Sequence, residues 1–204
     1  MKFVGQPESV EKRRKLEQLI HTQFHETIHE TVSTAYTLAL YFSPSLSYEA
    51  MCRVIGELEQ QTNFLSTTPT PSRLFEIPVL YGGEEGPDLA IVAEHNGMTE
   101  EEVIVHHTAG TYPVTMIGFV PGFPYLEGLS AKLHTPRKTT PRISIPAGSV
   151  GIAGGQTGIY SISTPGGWQI IGRTNRQLFL PDQDPPSLLQ AGDRVKFVAV
   201  GGLK

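Results

Sequence analysis

The stretch Ile143-Ser-Ile-Pro-Ala-Gly-Ser-Val-Gly-Ile-Ala-Gly-Gly-Gln-Thr-Gly-Ile-Tyr160 most constrains what this chain can become. Its β-branched runs are only a few residues long and break repeatedly at glycine, which is the pattern of a barrel or sandwich built from short strands. Two loops flank it, Gly118-Phe-Val-Pro-Gly-Phe-Pro-Tyr-Leu126 and Ser163-Thr-Pro-Gly-Gly-Trp-Gln-Ile-Ile-Gly-Arg173. Each sets glycines, which allow positive φ and close backbone approach, beside aromatics and prolines that hold a loop stiffly against a surface. Such loops are built for contact. Between the first loop and the glycine-broken run lies Pro136-Arg-Lys-Thr-Thr-Pro-Arg142.

Length and charge narrow the function classes. A chain of 204 residues has room for two unequal domains. Its one cysteine, Cys52, excludes an internal disulfide, and Met1-Lys-Phe-Val-Gly-Gln-Pro7 lacks the apolar run of a signal peptide, so a cytoplasmic setting is expected. No segment approaches the roughly 18 apolar residues of a membrane span. A net charge of -4 gives no reason to expect nucleic acid. The expected ligand is a small molecule or another protein.

Taken in order, the chain reads as a helix from Ser9, its N-cap, with Leu16, Leu19, Ile20 and Phe24 on one face and Lys12-Arg-Arg-Lys15 mainly on the wet side. A strand over Thr31 to Phe42 and a second helix from about Ser47 to Gln61 follow, the helix packing through Met51, Val54, Ile55 and Leu58 with Cys52 as a packing residue. Thr67-Thr-Pro-Thr-Pro71 is linker-like, and Leu74 to Tyr81 reads as an edge or terminal strand because it carries Pro78. This places a small α+β domain at residues 1–81 and a second domain at 82–204. In the second, Pro87 to about Asn96 forms a helix closed by Gly97. Another begins at Thr99 with Glu102 completing a capping box and ends near His107. The alternation over Ala191 to Val200 marks a last half-buried strand.

Three motifs tempt and fail. His25-Glu-Thr-Ile-His29 is a literal H-E-x-x-H, but it adjoins strand-like sequence where a zinc site needs a continuing helix, so no metal is expected. Ala147-Gly-Ser-Val-Gly151 approaches a nucleophile elbow, yet no helix pattern follows Ser149 and the last histidine, His134, precedes it. Gly154-Gly-Gln-Thr-Gly158 lacks the lysine and hydroxyl of a phosphate loop and reads as a hairpin turn. The polar groups that share the glycine-rich half with the two loops are His107, Arg137, Arg142, Gln156, Tyr160 and Arg173. An arginine beside prolines on a stiff loop can present its guanidinium fork to a carboxylate or phosphate.

Five blocks carry a family resemblance: Glu76 to Asp88, Glu94 to Val103, Gly118 to Leu126, Pro141 to Val150 and Pro165 to Thr174. In this order they resemble the KipI/PxpB family, also called allophanate hydrolase subunit 1. The resemblance implies an α+β fold. A small α/β sandwich-like, ferredoxin-like N-terminal domain, its first strand absent or supplied otherwise, precedes a cyclophilin-like β-barrel. It also implies the B-subunit of an ATP-dependent 5-oxoprolinase. Such a protein is inactive alone and works with separate A- and C-subunits, the latter of related barrel fold, with ATP at a site shared with a partner. Two alternatives stay open, an inhibitor of a sensor histidine kinase and a protein related to allophanate hydrolase and urea carboxylase. Carried onto this sequence, the expected catalytic residues are His107, Arg142 and Arg173. The expected substrate- or partner-binding residues are Phe119, Pro121, Gly122, Phe123, Tyr125, Gln156, Tyr160, Gly166, Gly167 and Trp168, and the chain itself holds no metal.

Overall fold

Leucine and isoleucine at helical spacing draw the first segment into α1 (Pro7–Gln23), which begins before the expected cap at Ser9. The computed structural model describes residues 7–34, 37–64 and 72–201. After α1 come β1 (Ile28–Ser33), β2 (Leu38–Phe42) and α2 (Tyr48–Phe64). Leu16 and Ile20 meet Ile28, Leu38 and Leu58 in a small core. The single strand expected over Thr31 to Phe42 is instead part of an antiparallel hairpin, β1 with β2. Its reversal is made by threonine: the Thr34 hydroxyl accepts the Thr37 N–H at 3.0 Å, and the Thr34 N–H donates to the Thr37 carbonyl at 2.8 Å. A hydroxyl thus does the work that glycine or proline usually announces in a sequence.

Two expectations for this part change. Arg13 is 1% exposed and donates to the Thr34 carbonyl, so the basic run of α1 is not wholly on the wet face. Cys52 is exposed rather than packed. His25 lies in a turn and His29 on β1, so the H-E-x-x-H residues share no helix face. The linker-like Thr67 to Pro71 lies outside the described residues.

The chain divides at Ser72/Arg73, not at 81/82. The reason is β3 (Leu74–Tyr81), expected from sequence in the N-terminal domain. It runs parallel to β11 (Arg194–Ala199), Leu74 opposite Arg194 through Val79 opposite Ala199, and so belongs to the second unit. With β4 (Tyr112–Ile117), β5 (Pro124–Leu126), β7 (Ser149–Ala153), β8 (Gln156–Ile159) and β10 (Gln169–Arg173), these strands close a barrel in the order β10-β3-β11-β4-β5-β8-β7. Pro78 is tolerated because β3 meets β10 only at Leu80 and Tyr81, leaving most of the strand paired on one side. The α+β class and the closed barrel agree with expectation.

Two helices pack on the barrel, α3 (Leu89–Asn96) and α4 (Glu100–Ala109), the first ended by Gly97 at φ 64° and the second opened by the Thr99–Glu102 capping box. Val92 of α3 and Val103 of α4 join Ile77, Val79, Val150, Ile171 and Phe197 in the main core. A separate two-stranded ribbon, β6 (Arg142–Ile145) with β9 (Thr164–Gly166), stands apart from the barrel ladder. Among the described residues no helix is long and apolar enough to cross a membrane.

Candidate functional site

The two loops singled out in the sequence converge on one pocket. A cavity of about 230 Å³ opens beside the β6–β9 ribbon, walled by Phe119, Phe123 and Tyr125 from the first loop, and by Gly166, Gly167 and Trp168 from the second. Tyr160, just after β8, completes the aromatic wall, and Arg137, Pro141 and Pro165 form the rest of the lining. Phe123 is the hub: its ring lies edge-on to Tyr125, Tyr160 and Trp168 with centroids 4.9, 5.2 and 5.4 Å away. Such edge-to-face pairs each add about 0.5–1.5 kcal/mol beyond burial, which fixes the floor before any ligand arrives.

Glycine makes room for this arrangement. A Cβ on Gly158 would lie 3.0 Å from the Phe123 ring and 3.1 Å from Trp168, and one on Gly166 would lie 2.3 Å from the Tyr160 hydroxyl oxygen. Phe119 sits at the rim, 59% exposed and at φ 72°, a left-handed conformation that costs a non-glycine residue on the order of 1 kcal/mol. Gly122, at φ 75°, lets the first loop turn inward against Phe179. Pro121 holds the loop from outside, its carbonyl accepting the Ser161 hydroxyl at 2.5 Å.

Behind the pocket lies a buried carboxylate. Asp88, 1% exposed, accepts a two-pronged pair from Arg142, with both N–O distances at 2.8 Å. It also accepts from Lys138 at 3.1 Å and from the Ile170 N–H at 2.7 Å. Burial pushes the Asp88 carboxyl up, but the hydrogen bonds from Arg142, Ile170 and Lys138 outweigh it and hold the group below the usual carboxylate range. Arg137 precedes Lys138 and Pro141 precedes Arg142, so each residue of this segment that faces the cavity adjoins one tied to Asp88.

Against this geometry, the family described as carboxyltransferase domain, subdomain C and D, matches residues 4–189. The chain belongs to that family. The similarity extends to a Haemophilus influenzae protein named as the 5-oxoprolinase B-subunit, 45% identical over 196 residues, which are 96% of this chain and 91% of that one. A Bacillus subtilis protein of the same name is 62% identical over 128 residues, 63% of this chain and 53% of that one. The chain thus spans about half the length of the Bacillus relative. A solved structure from Pyrococcus horikoshii, titled conserved uncharacterized protein PH0987, superposes with a TM-score of 0.61 at 38% identity, covering 98% of this chain and 93% of that one. The resemblance drawn from the five sequence blocks agrees with these relatives.

Within this carboxyltransferase-family unit, the residues expected from sequence separate into two groups. Phe119, Phe123, Tyr125, Tyr160, Gly166, Gly167 and Trp168 line the pocket, with Pro121 and Gly122 shaping their loop. The three expected catalytic residues do not line it. Arg142 is bound to Asp88, and Arg173 donates to the Ala147 carbonyl at 2.9 Å and pairs with Glu85 at 3.3 Å. Gln156 pairs with Ala153 to close the tight Gly154-Gly155 hairpin, as a turn at that stretch requires. Sequence places Arg137 only in the wider set of polar groups, yet it lines the cavity.

His107 is the clearest correction. It is fully buried, stacked on Phe197 at 4.4 Å, with both ring nitrogens occupied. The Thr157 hydroxyl donates to the Gly151 carbonyl at 3.0 Å, so at 2.9 Å from Nε2 it accepts the imidazole N–H. Nδ1 therefore accepts from the Tyr81 hydroxyl at 2.7 Å. Burial pushes the His107 pKa down to about 3. Between pH 6.5 and about 3 the unfolded chain binds a proton that the folded chain refuses, so stability must fall as pH drops through this window, by about 1.4 kcal/mol per pH unit from this group. Denaturant unfolding of His107→Gln between pH 4 and 6 should show a correspondingly shallower slope. An unchanged slope would mean that the imidazole is protonated in the folded barrel.

Proposed function

We propose that this chain is the B-subunit of an ATP-dependent 5-oxoprolinase, acting with the A- and C-subunits in the cytoplasm to open 5-oxoproline to glutamate, and inactive alone. The observation that supports it most is the 45% identity, along nearly the whole of both chains, to a protein named as the 5-oxoprolinase B-subunit. The pocket is consistent with the chemistry. A lactam resists water because amide resonance weakens its carbonyl as an electrophile, so its oxygen must be activated and the developing oxyanion met by positioned donors.

The lining contains no carboxylate, imidazole, thiol or aliphatic hydroxyl that could act as base or nucleophile. Burial pushes the Tyr160 phenol up to about 12, so at neutral pH it remains a hydrogen-bond donor. The chain's own contribution is then to bind and orient, with the reacting groups completed by a partner. One guanidinium among aromatic walls is no cradle for a triphosphate, so ATP is assigned to a site shared with another protein of the complex rather than to this pocket.

Purified alone, the chain should release no glutamate from 5-oxoproline. Mixed with its A- and C-subunit counterparts, it should do so with ATP consumed. No turnover from the mixture, together with suppression of a sensor kinase's autophosphorylation by this chain alone, would replace the enzyme reading with the inhibitory one.

A further inference from the structure

We propose that Arg137 and Trp168 form a carboxylate-recognition site for a compact ring acid, the guanidinium taking the carboxylate and the aromatic wall taking the ring. The carboxylate chemistry stands on the pocket itself. That the acid is 5-oxoproline rests on the function proposed above.

Charge is the first argument. Arg137 is the one charged residue in the lining, and no acidic side chain faces it there. Its neighbours in the same segment are both satisfied, Lys138 and Arg142 by Asp88, whereas Arg137 forms no ion pair among the described residues. An exposed guanidinium at the mouth of an apolar pocket offers its planar fork to whatever anion enters.

Preorganisation is the second. The residues on either side of Arg137 are fixed: the Gln169 side-chain amide donates to the Pro136 carbonyl at 3.0 Å, and the Lys138 N–H donates to the Gly167 carbonyl at 2.7 Å. Arg137 itself lies with its guanidinium carbon 5.9 Å from the centre of the Trp168 ring. A cation held over an indole by its own backbone gives up little freedom when an anion docks. Its charge reaches both phenols of the wall, offsetting part of the upward push that burial gives Tyr125 and Tyr160.

Size is the third. At about 230 Å³ the cavity is smaller than the roughly 300–1,000 Å³ of drug-sized sites, which suits one small ring and its carboxylate. A single cation matches a carboxylate better than a phosphate dianion. A neutral prolyl segment would leave the guanidinium without a partner.

Trp168 is the only tryptophan in the chain and is 5% exposed, so its fluorescence reports on this pocket alone. The full chain would be titrated with 5-oxoproline, pyrrole-2-carboxylate, 2-pyrrolidinone (the same lactam without its carboxylate) and inorganic phosphate. Saturable changes are expected with both acids, at least about tenfold weaker binding of 2-pyrrolidinone, and no competition by phosphate. Arg137→Met should weaken the acids about tenfold or more and leave 2-pyrrolidinone and the melting temperature unchanged, while Arg137→Lys should lose less.

Equal binding of lactam and acid, indifference to Arg137→Met, or no saturable change with any acid would overturn the site. The two readings fail separately. If pyrrole-2-carboxylate binds through Arg137 but the reconstituted mixture does not turn over 5-oxoproline, the carboxylate site stands and the 5-oxoprolinase assignment falls. If the mixture turns over and Arg137→Met leaves its KM unchanged, the assignment stands and the site falls.

Discussion

Asp88→Ala is expected to destabilise the barrel unit by about 3 kcal/mol, the lower end of the roughly 3–5 kcal/mol lost when one side of a buried ion pair is removed. The lower end applies because the Arg142 and Lys138 side chains are 29% and 26% exposed and can recover some hydration. The Ile170 N–H has no such recourse and loses its acceptor. Denaturant unfolding of Asp88→Ala and the near-isosteric Asp88→Asn would measure this, and a loss under about 1 kcal/mol in both would show that the cluster contributes little. Because the Asp88 carboxyl is held below the usual range, its contribution is present at neutral pH. It is lost as pH falls below the ordinary carboxylate pKa and on through the folded one. The same change releases the side chain of Lys138, next to Arg137, from its carboxylate partner, so acid binding in the pocket should weaken beyond what the stability loss explains.

Gly86→Ala should be comparably damaging, by about 3 kcal/mol, for a steric reason. A Cβ there would lie 2.1 Å from the Ile171 carbonyl oxygen and 2.5 Å from the Gly82 nitrogen, and neither backbone atom can swing aside as a flexible side chain would. Relief requires the loop before α3 to lift from β10, which breaks the Gly82 N–H to Ile171 bond at 3.1 Å and the Asp88 N–H to Ile170 bond at 2.8 Å. The control is Gly83→Ala, where nothing lies within 4 Å of the added carbon and only the left-handed φ of 54° resists, a cost of roughly 1 kcal/mol. Equal losses at the two glycines would sink the packing argument. Since both lesions release the same loop, Asp88→Ala with Gly86→Ala should cost less than the sum of the two.

Much of the pocket was legible because its makers are locally unusual. Glycine next to proline and aromatic residues is rare enough to mark both loops, and six of the expected residues that these loops carry line the cavity. The arginines were not separable in the same way. Arg137, Arg142 and Arg173 all sit near prolines or glycines, and only the folded chain shows which guanidinium meets a carboxylate. Arg142 finds Asp88, 54 positions away, and Arg137 is left facing the cavity. His107 misled for a related reason, since an imidazole buried between Tyr81 and Thr157 looks in sequence like one available for proton transfer. The misplaced domain boundary has a topological cause: β3 carries no local sign that its partner is a strand near the other end of the chain.

That pairing governs the order in which the barrel can be made. Arg73 and Asp193, which bond side chain to side chain at the start of the β3–β11 pair, are 120 positions apart. A ribosome adding roughly 5–20 residues per second therefore exposes β3 for several seconds before β11 exists. Closure depends on pairings of high sequence separation, β3 with β11 above all, and such contacts are the slowest to form because the chain between must first be confined. A nascent chain stalled short of Arg194 would hold β3 and β4 with no strand between them, two open edges on an otherwise assembled sheet. Seamless in its finished state, the barrel is at its most aggregation-prone in the interval between the synthesis of β3 and that of β11.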